Sequence, residues 1–144
     1  HAGRDITVVD DTYNANPDSM RAAIDVLAAL PAPQLLVMGD MGEVGDQGPQ
    51  FHAEAGAHAR AAGVAHLYAL GVQSANAARA FGAARHFDNM ASLQAAVLEA
   101  LPQVGSVLVK GSRFMKMEQV VEAMAANAEQ QEIVHSEAPH DASH

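Results

Sequence analysis

Cysteine is absent from the 144-residue sequence, and positive charge is scarce, with eight lysines and arginines against seventeen aspartates and glutamates. Without cysteine the chain can form neither a disulfide nor a thiolate metal site, which fits a cytoplasmic protein. The formal net charge of −9 argues against nucleic acid or an anionic membrane as a partner, because both require clustered lysine and arginine. The sequence also lacks a membrane-spanning apolar run and a signal-peptide pattern. We therefore expect a cytoplasmic domain that contacts neither nucleic acid nor membrane.

Motifs of nucleotide and metal sites are missing as well. No G-x-x-x-x-G-K-[ST] segment occurs, so these residues contain no P-loop. The glycines of residues 39–48 recur at every third position rather than as G-x-G-x-x-G, and the acids among them would repel a pyrophosphate, so we interpret residues 41–49 as a flexible loop. The histidines show no H-E-x-x-H pair. We therefore interpret His52, His58 and His66 as surface imidazoles and predict no metal site within the chain.

Short apolar segments alternate with segments whose apolar residues recur at spacings of three and four, the pattern of strands alternating with helices. This alternation predicts an α/β domain of three layers, with a mostly parallel sheet of five to six strands covered by helices on both faces. Asp88 is predicted to cap the fourth helix. The helical pattern fails from Ala128 onward, so we predict one domain over residues 1–127 and a disordered tail over residues 128–144. The predicted strands are 6–9, 34–38, 66–70, 86–87 and 106–109.

The chain is organised around residues 8–20, where a short apolar strand runs into two carboxylates, Asp10 and Asp11. A helix start follows, because Asn16 is a suitable N-cap and Pro17 fits the first helical position, where no backbone N–H is needed. Ligands of open α/β sheets bind beyond the carboxyl ends of the strands, so these polar side chains are candidates for ligand contact. Taken singly, each of them is more often an ordinary turn or capping residue than a functional one.

Polar side chains follow three of the predicted strands. If these strands are parallel, the three clusters converge on one rim of the sheet. A carboxylate beside a strand end can accept hydrogen bonds from ribose hydroxyls, and a lysine and a serine at a helix N-terminus suit a carboxylate or a phosphate. The clusters are Asp10 with Asp11, Asp40 with Glu43, and Lys110 with Ser112 and Arg113.

Three segments resemble, in the same order, motifs of the Mur ligases of peptidoglycan synthesis, and in particular of the members that add D-alanyl-D-alanine (D-Ala-D-Ala). Residues 10–20 are similar to D-D-[ST]-Y-N-A-N-P-x-S-M, and residues 39–45, with His52 downstream, resemble a second motif. Residues 109–118 are similar to V-K-G-S-R-x-x-x-M-E. Sister ligases carry a shorter D-Y-x-H-x-P version of the first motif, which favours the D-Ala-D-Ala-adding members. The resemblance covers the chain from residue 6 to residue 124.

The resemblance implies that the chain is the Rossmann-like C-terminal domain of an ATP-dependent bacterial ligase. In such enzymes a first domain binds UDP-MurNAc-tripeptide, and a central domain carries the P-loop and most of the Mg²⁺ ligands. The third domain closes over ATP and brings in D-Ala-D-Ala. We therefore expect ATP and Mg²⁺ as cofactors, a cytoplasmic monomer, and no ligation by this chain alone, which would supply no catalytic residue by itself.

The resemblance also implies roles for individual residues. Residues expected at the ATP site are Asp11, Tyr13, Asn14 and Asn16. Residues expected to orient D-Ala-D-Ala, most directly at its carboxylate, are Lys110, Ser112 and Arg113. Further residues of the cleft are Asp10, Asp40, Glu43 and His52.

Two other interpretations stay open at this point. The chain could be the equivalent domain of another Mur ligase or of a folylpolyglutamate-type ligase, which the spelling of residues 13–17 disfavours. It could also be a free-standing receiver-like module, since Asp10, Asp11, Asp40 and Lys110 imitate the acidic pocket and lysine of such a domain. A receiver would bind Mg²⁺ at the acids and accept phosphate on one aspartate, independently of any other domain.

Overall fold

A computed structural model of the chain describes residues 6–12, 15–42 and 44–136, with residues 128–136 as backbone only. One sheet of five strands runs through it, in the spatial order β1-β5-β2-β3-β4. The strands are β1 (Thr7–Asp11), β2 (Gln34–Gly39), β3 (His66–Leu70), β4 (Arg85–Phe87) and β5 (Ser106–Lys110). The helices are α1 (Pro17–Ala28), α2 (Gly48–Ala61), α3 (Ser74–Phe81), α4 (Met90–Ala100) and α5 (Glu118–Ser136).

All four strand pairings in the sheet are parallel. The two strands β2 and β5 are buried along their whole length, because helices cover both of their faces. The inner residues of these strands, 35–38 and 107–109, are correspondingly continuous apolar runs rather than alternating ones. The structure therefore confirms the predicted α/β class and its mostly parallel sheet.

Two separate apolar clusters fill the spaces on either side of the sheet. On one side Met20, Ile24 and Leu27 of α1 pack with residues of α2 and α3 against Leu36 and Leu108. On the other side α4 and α5 pack against the alternate side chains of β2 and β5. Successive residues of a strand point to opposite faces, so both clusters draw on the same strands. This arrangement gives the three predicted layers.

The helix starts follow capping chemistry. The Asn16 side chain accepts a hydrogen bond from the Ser19 backbone N–H at 2.9 Å and Pro17 is the first helical residue, so the predicted start of α1 is confirmed. The predicted cap of α4 is wrong by one residue. Asn89, rather than Asp88, accepts the hydrogen bond from the Ser92 backbone N–H at 2.8 Å. Asn89 is the residue whose side chain lies within reach of the third helical N–H.

The last helix extends beyond the predicted domain end at residue 127 and reaches Ser136. Residues 125–132 consist of alanine, asparagine, glutamate and glutamine, and most of these favour a helix even where no apolar face is present. Residues 137–144 of the predicted tail lie outside the described residues. Among the helices that the structure describes, none combines the length and the apolar character needed to cross a lipid bilayer.

Candidate functional site

The register of the sheet brings three strand ends together. Asp11, the last residue of β1, lies beside Lys110, the last residue of β5, and Lys110 lies beside Met38 near the end of β2. Because these neighbouring strands are parallel, the segments that follow them leave the sheet at one edge. We call this edge the rim. The three strand ends therefore meet at the rim as predicted, but of the second cluster only Asp40 is described, and its carboxylate is directed elsewhere.

A buried ion pair joins the first and third clusters. The Lys110 ammonium nitrogen Nζ lies 2.8 Å from Oδ2 of Asp11, and the Lys110 side chain is 1% exposed while that of Asp11 is 41% exposed. A buried ammonium is stable only with a partner that replaces its hydration. Asp11 provides that partner and keeps part of its carboxylate in solvent. The pair thus presents a carboxylate oxygen, rather than the ammonium, at the rim.

Asp40 lies just after β2, but its carboxylate is turned away toward α3. Its two oxygens accept hydrogen bonds from the backbone N–H groups of Gln73 at 3.1 Å and Ser74 at 2.7 Å. The helix has no side-chain cap from its own first residues. Asp40 is buried and acts as a long-range cap, with its charge at the positive helix end.

Ser112 connects the end of β5 to the glycine-rich segment after β2. Its backbone N–H donates to the Asp40 carbonyl oxygen at 3.0 Å, and its hydroxyl oxygen accepts a short hydrogen bond from the Gly42 backbone N–H. Met41, between these two contacts, is 2% exposed. Residues 40–42 are therefore held at several points, which the interpretation of residues 41–49 as a flexible loop did not anticipate.

The interpretation of His52 as a surface imidazole is wrong, because its side chain is completely buried. Its ring nitrogens contact the Met41 backbone N–H at 2.9 Å and the Gly48 carbonyl oxygen at 2.6 Å. A usable signal existed in the sequence, since His52 shares the three-and-four spacing of Ala55 and Ala59, which both line the core. His66 is exposed, as predicted.

The other described candidates lie in β1 or in the segments that follow β1 and β5. Asp10 is exposed and accepts a hydrogen bond from the Thr12 hydroxyl at 2.8 Å. Asn16 is exposed, with its side chain engaged in capping α1. Arg113 is exposed at the start of a short 3₁₀ turn, Arg113–Met115, next to Phe114. The predicted site residues Tyr13, Asn14 and Glu43 lie outside the described residues.

The described residues do not fit a magnesium site. No group of three or more acidic or histidine side chains among them is placed to hold a metal ion. Asp11 is paired with Lys110, and Asp40 caps α3, so the acids do not share one pocket. The same placement argues against the receiver-like interpretation, which requires the aspartates of both strand ends to face each other.

Comparison with known proteins identifies the family. The model of the family described as "Mur ligase, glutamate ligase domain" matches residues 1–135. The UDP-N-acetylmuramoyl-tripeptide–D-alanyl-D-alanine ligase of Escherichia coli K12 is 42% identical over 122 residues, which are 83% of this chain and 27% of that protein. The protein of the same name from Buchnera aphidicola (Acyrthosiphon pisum) is 36% identical over 117 residues, covering 80% of this chain and 26% of its own length.

Solved structures agree with the sequence comparison. A crystal structure of MurF from Acinetobacter baumannii superposes with a TM-score of 0.71 at 36% identity, over 77% of this chain and 25% of that one. MurF ligase from Thermotoga maritima, solved in complex with ADP, gives a TM-score of 0.73 over 86% of this chain and 29% of that one. At 23% identity this second likeness concerns the fold alone.

The chain spans about a quarter of the length of the curated relatives it matches. Family model, relatives and structures agree with the three motifs at residues 10–20, 39–45 and 109–118, which confirms the resemblance seen in the sequence. The chain therefore belongs to the Mur ligase family, and the part of such a ligase that it represents is the C-terminal, glutamate ligase domain.

Proposed function

We propose that the chain is the C-terminal domain of an ATP-dependent ligase that adds D-Ala-D-Ala to UDP-MurNAc-tripeptide. The observation that carries this proposal is the rim, where the Asp11–Lys110 pair and Ser112 meet at the ends of adjacent parallel strands. The relatives from Escherichia coli and Buchnera carry the name of this ligase, at 42% and 36% identity. That agreement favours D-Ala-D-Ala over the substrates of other Mur or folylpolyglutamate-type ligases.

The proposed reaction belongs to the full-length protein and proceeds in two steps. The tripeptide carboxylate first takes the terminal phosphoryl group of ATP, which gives an acyl phosphate and ADP. The free amine of D-Ala-D-Ala then attacks the acyl carbon, and inorganic phosphate leaves as the new amide forms. The residues of this chain bind and orient the reactants, because the sequence contains no P-loop to hold the phosphates.

Asp11 is the proposed contact to the ATP ribose. Its carboxylate is part exposed and is held by Lys110, so its direction is fixed before nucleotide binds. A fixed carboxylate can accept hydrogen bonds from vicinal hydroxyls without first losing side-chain freedom. The proposed ATP site also includes Tyr13, Asn14 and Asn16.

Ser112 and Arg113 are the proposed contacts to the D-Ala-D-Ala carboxylate. The Ser112 oxygen already accepts from the Gly42 N–H, which leaves the hydroxyl hydrogen to donate to an anion. The exposed Arg113 next to it adds a guanidinium that matches a carboxylate in shape and charge. The ammonium of Lys110, the third residue expected to orient the dipeptide, is buried and bound to Asp11, so its proposed role is to fix the Asp11 carboxylate.

We further propose that ATP binds as its magnesium complex, with Mg²⁺ held by the rest of the full-length protein. The full-length ligase is proposed to act as a cytoplasmic monomer without nucleic acid or membrane partners; for this domain, the net charge of −9 supports the absence of such partners.

The proposal is tested by measuring phosphate release by the full-length protein with ATP and UDP-MurNAc-tripeptide, with and without D-Ala-D-Ala. We expect turnover only when the dipeptide is present. Substitutions Ser112→Ala and Arg113→Ala should each raise the KM for D-Ala-D-Ala roughly 10- to 100-fold, the effect of losing a hydrogen bond to a charged ligand. The KM for ATP should change little.

Arg79→Ala is the matched control, because Arg79 is an exposed arginine on α3 whose charge is lost without any expected substrate contact. Its kinetic constants should equal those of the unchanged enzyme. Turnover that does not depend on D-Ala-D-Ala would overturn the proposed function. Dipeptide-dependent turnover with unchanged KM in the Ser112 and Arg113 variants would retain the ligase and discard these two contacts.

A further inference from the structure

His52 is a histidine with both ring nitrogens bonded and no exposure to water. Nε2 lies 2.9 Å from the Met41 backbone nitrogen, and Nδ1 lies 2.6 Å from the Gly48 carbonyl oxygen. The side chain is 0% exposed, and His52 lies one turn after the start of α2. The ring therefore bridges the start of this helix and the segment that follows β2.

The chemistry of these two partners fixes the protonation of the ring. A backbone N–H can only donate, so Nε2 must be the unprotonated acceptor for Met41. A carbonyl oxygen can only accept, so Nδ1 must carry the hydrogen toward Gly48. His52 is consequently neutral and in its Nδ1–H tautomer.

Met41 lies between two residues that contact Ser112. The Asp40 carbonyl oxygen accepts from the Ser112 N–H at 3.0 Å, and the Gly42 N–H donates to the Ser112 hydroxyl oxygen. The imidazole thus holds the middle residue of a three-residue segment whose outer residues fix both the backbone and the side chain of Ser112. A shift of the Met41 amide would move the Gly42 N–H, and with it the direction of the Ser112 hydroxyl.

We propose that His52 is a positioning residue for the incoming dipeptide. In its neutral Nδ1–H form it anchors residues 40–42, and these residues orient the Ser112 hydroxyl toward the dipeptide carboxylate. The inference rests on the proposed function for the identity of the ligand, but the tautomer and the anchoring are properties of this domain alone. His52 touches no reactant and acts only through Met41, Gly42 and Ser112.

Two substitutions separate the two hydrogen bonds of the ring. His52→Gln reaches the position of Nε2 with an amide that can still accept from the Met41 N–H. His52→Asn is shorter, so it can donate to the Gly48 carbonyl oxygen but does not reach Met41. His66→Asn, an exposed histidine at the start of β3, is the matched control.

In the full-length enzyme we expect His52→Asn to raise the KM for D-Ala-D-Ala roughly 10-fold, with the KM for ATP and for UDP-MurNAc-tripeptide within about 2-fold, because one oriented hydrogen bond to a charged ligand is lost. His52→Gln should recover most of this loss, and His66→Asn should change nothing. Equal KM values for the dipeptide in the unchanged enzyme and in both His52 variants would overturn the proposal. Equal increases in all three substrate KM values would also overturn it, since they would indicate general damage to the fold.

A measurement on the unchanged protein keeps the inference testable if the variants do not fold. Nitrogen-15 NMR of histidine-labelled chain should show one imidazole with a protonated Nδ1, an unprotonated Nε2 and slow exchange of its hydrogen with water. The opposite tautomer for every protected histidine, or no protected histidine, would overturn the proposal. Absence of dipeptide-dependent turnover together with the expected tautomer would instead refute the proposed function and the positioning role, and would leave the anchoring of residues 40–42 in place.

Discussion

At the scale of single residues, we expect replacement of the buried Lys110 and replacement of the half-exposed Asp11 to change the free energy of unfolding by different amounts. Lys110→Met removes the buried charge, keeps most of the volume and leaves Asp11 in contact with solvent. We expect the free energy of unfolding to change by less than about 1 kcal/mol. Asp11→Ala leaves the ammonium buried without its carboxylate and should cost about 2–3 kcal/mol, less than for a fully buried pair. Urea denaturation of both variants measures the difference.

Comparing the losses in free energy of unfolding of Lys110→Met and Asp11→Ala tests this expectation. If Lys110→Met destabilises the chain as much as Asp11→Ala does, then Lys110 contributes net stability, and the expectation that its pairing only offsets the desolvation of its ammonium is wrong. In the full-length enzyme the same Lys110→Met variant should lose ATP affinity, because Asp11 would no longer be fixed. A variant with normal stability and a raised KM for ATP would support the positioning of Asp11 by Lys110.

Gly71 provides a second prediction at this scale. It adopts a φ of +115°, and a Cβ atom added there would lie 2.6 Å from Cγ of Asp40. Gly71→Ala therefore combines backbone strain with a collision against the cap of α3, and should cost about 2–4 kcal/mol. Gly63→Ala is the control, since Gly63 has a φ of +90° and nothing within 4 Å of an added Cβ. It should cost about 1 kcal/mol, from backbone strain alone.

Thermal or urea unfolding measures the loss of stability in both glycine variants. The loss in Gly71→Ala minus the loss in Gly63→Ala is the cost of the collision with Asp40. Equal losses in Gly71→Ala and Gly63→Ala would mean that the Asp40 carboxylate moves aside without consequence. In that case the long-range cap of α3 contributes little to stability.

At the scale of the element, α3 depends on a side chain from another strand. The helix runs only from Ser74 to Phe81, and Asp40 accepts from the N–H groups of Gln73 and Ser74 at its start. Asp40→Ala should destabilise the chain by about 1–2 kcal/mol, the usual effect of losing an N-cap. Amide hydrogen exchange should lose protection first in α3.

Asn89→Ala, which removes the local cap of α4, is the matched control and should lose protection in α4 instead. If Asp40→Ala instead has normal stability and raises the KM for D-Ala-D-Ala in the full-length enzyme, then Asp40 is a residue of the cleft, as the sequence predicted.

The elements themselves were predictable from the sequence because their signals are local. The Asn16–Pro17 start of α1 and the continuous apolar run of β2 each depend on neighbouring residues, and parallel pairing then brings the strand ends to one rim. The directions of the site residues were not predictable in this way. Asp40 reaches Ser74, and Lys110 reaches Asp11, across 34 and 99 positions of sequence. Such contacts depend on packing, which spacing along the chain does not encode.

At the scale of the whole molecule, the family relationship and the geometry indicate that the contacts to ATP are shared between this domain and the rest of the full-length ligase. This chain spans about a quarter of its curated relatives, and its rim offers an oriented carboxylate and a hydroxyl. The sequence contains no P-loop, so the phosphates of ATP would need groups from elsewhere in a full-length ligase. Under the proposed function, the domain therefore contributes one side of the nucleotide site and becomes effective when it closes against the other.

Because the nucleotide site is shared between domains, we expect ATP to stabilise the full-length ligase but not the isolated chain. A ligand stabilises a fold in proportion to the logarithm of its concentration over Kd, about 2.7 kcal/mol at 100 times Kd and almost nothing far below Kd. With about 1 mM Mg-ATP, the Tm of the isolated chain should therefore stay within about 1 °C, whereas the Tm of the full-length ligase should rise by several degrees. Magnesium pyrophosphate at equal ionic strength is the control for the phosphate groups alone. An equal rise of Tm in the isolated chain would mean that this domain holds a complete nucleotide site, and that closure against another domain is not needed for ATP binding.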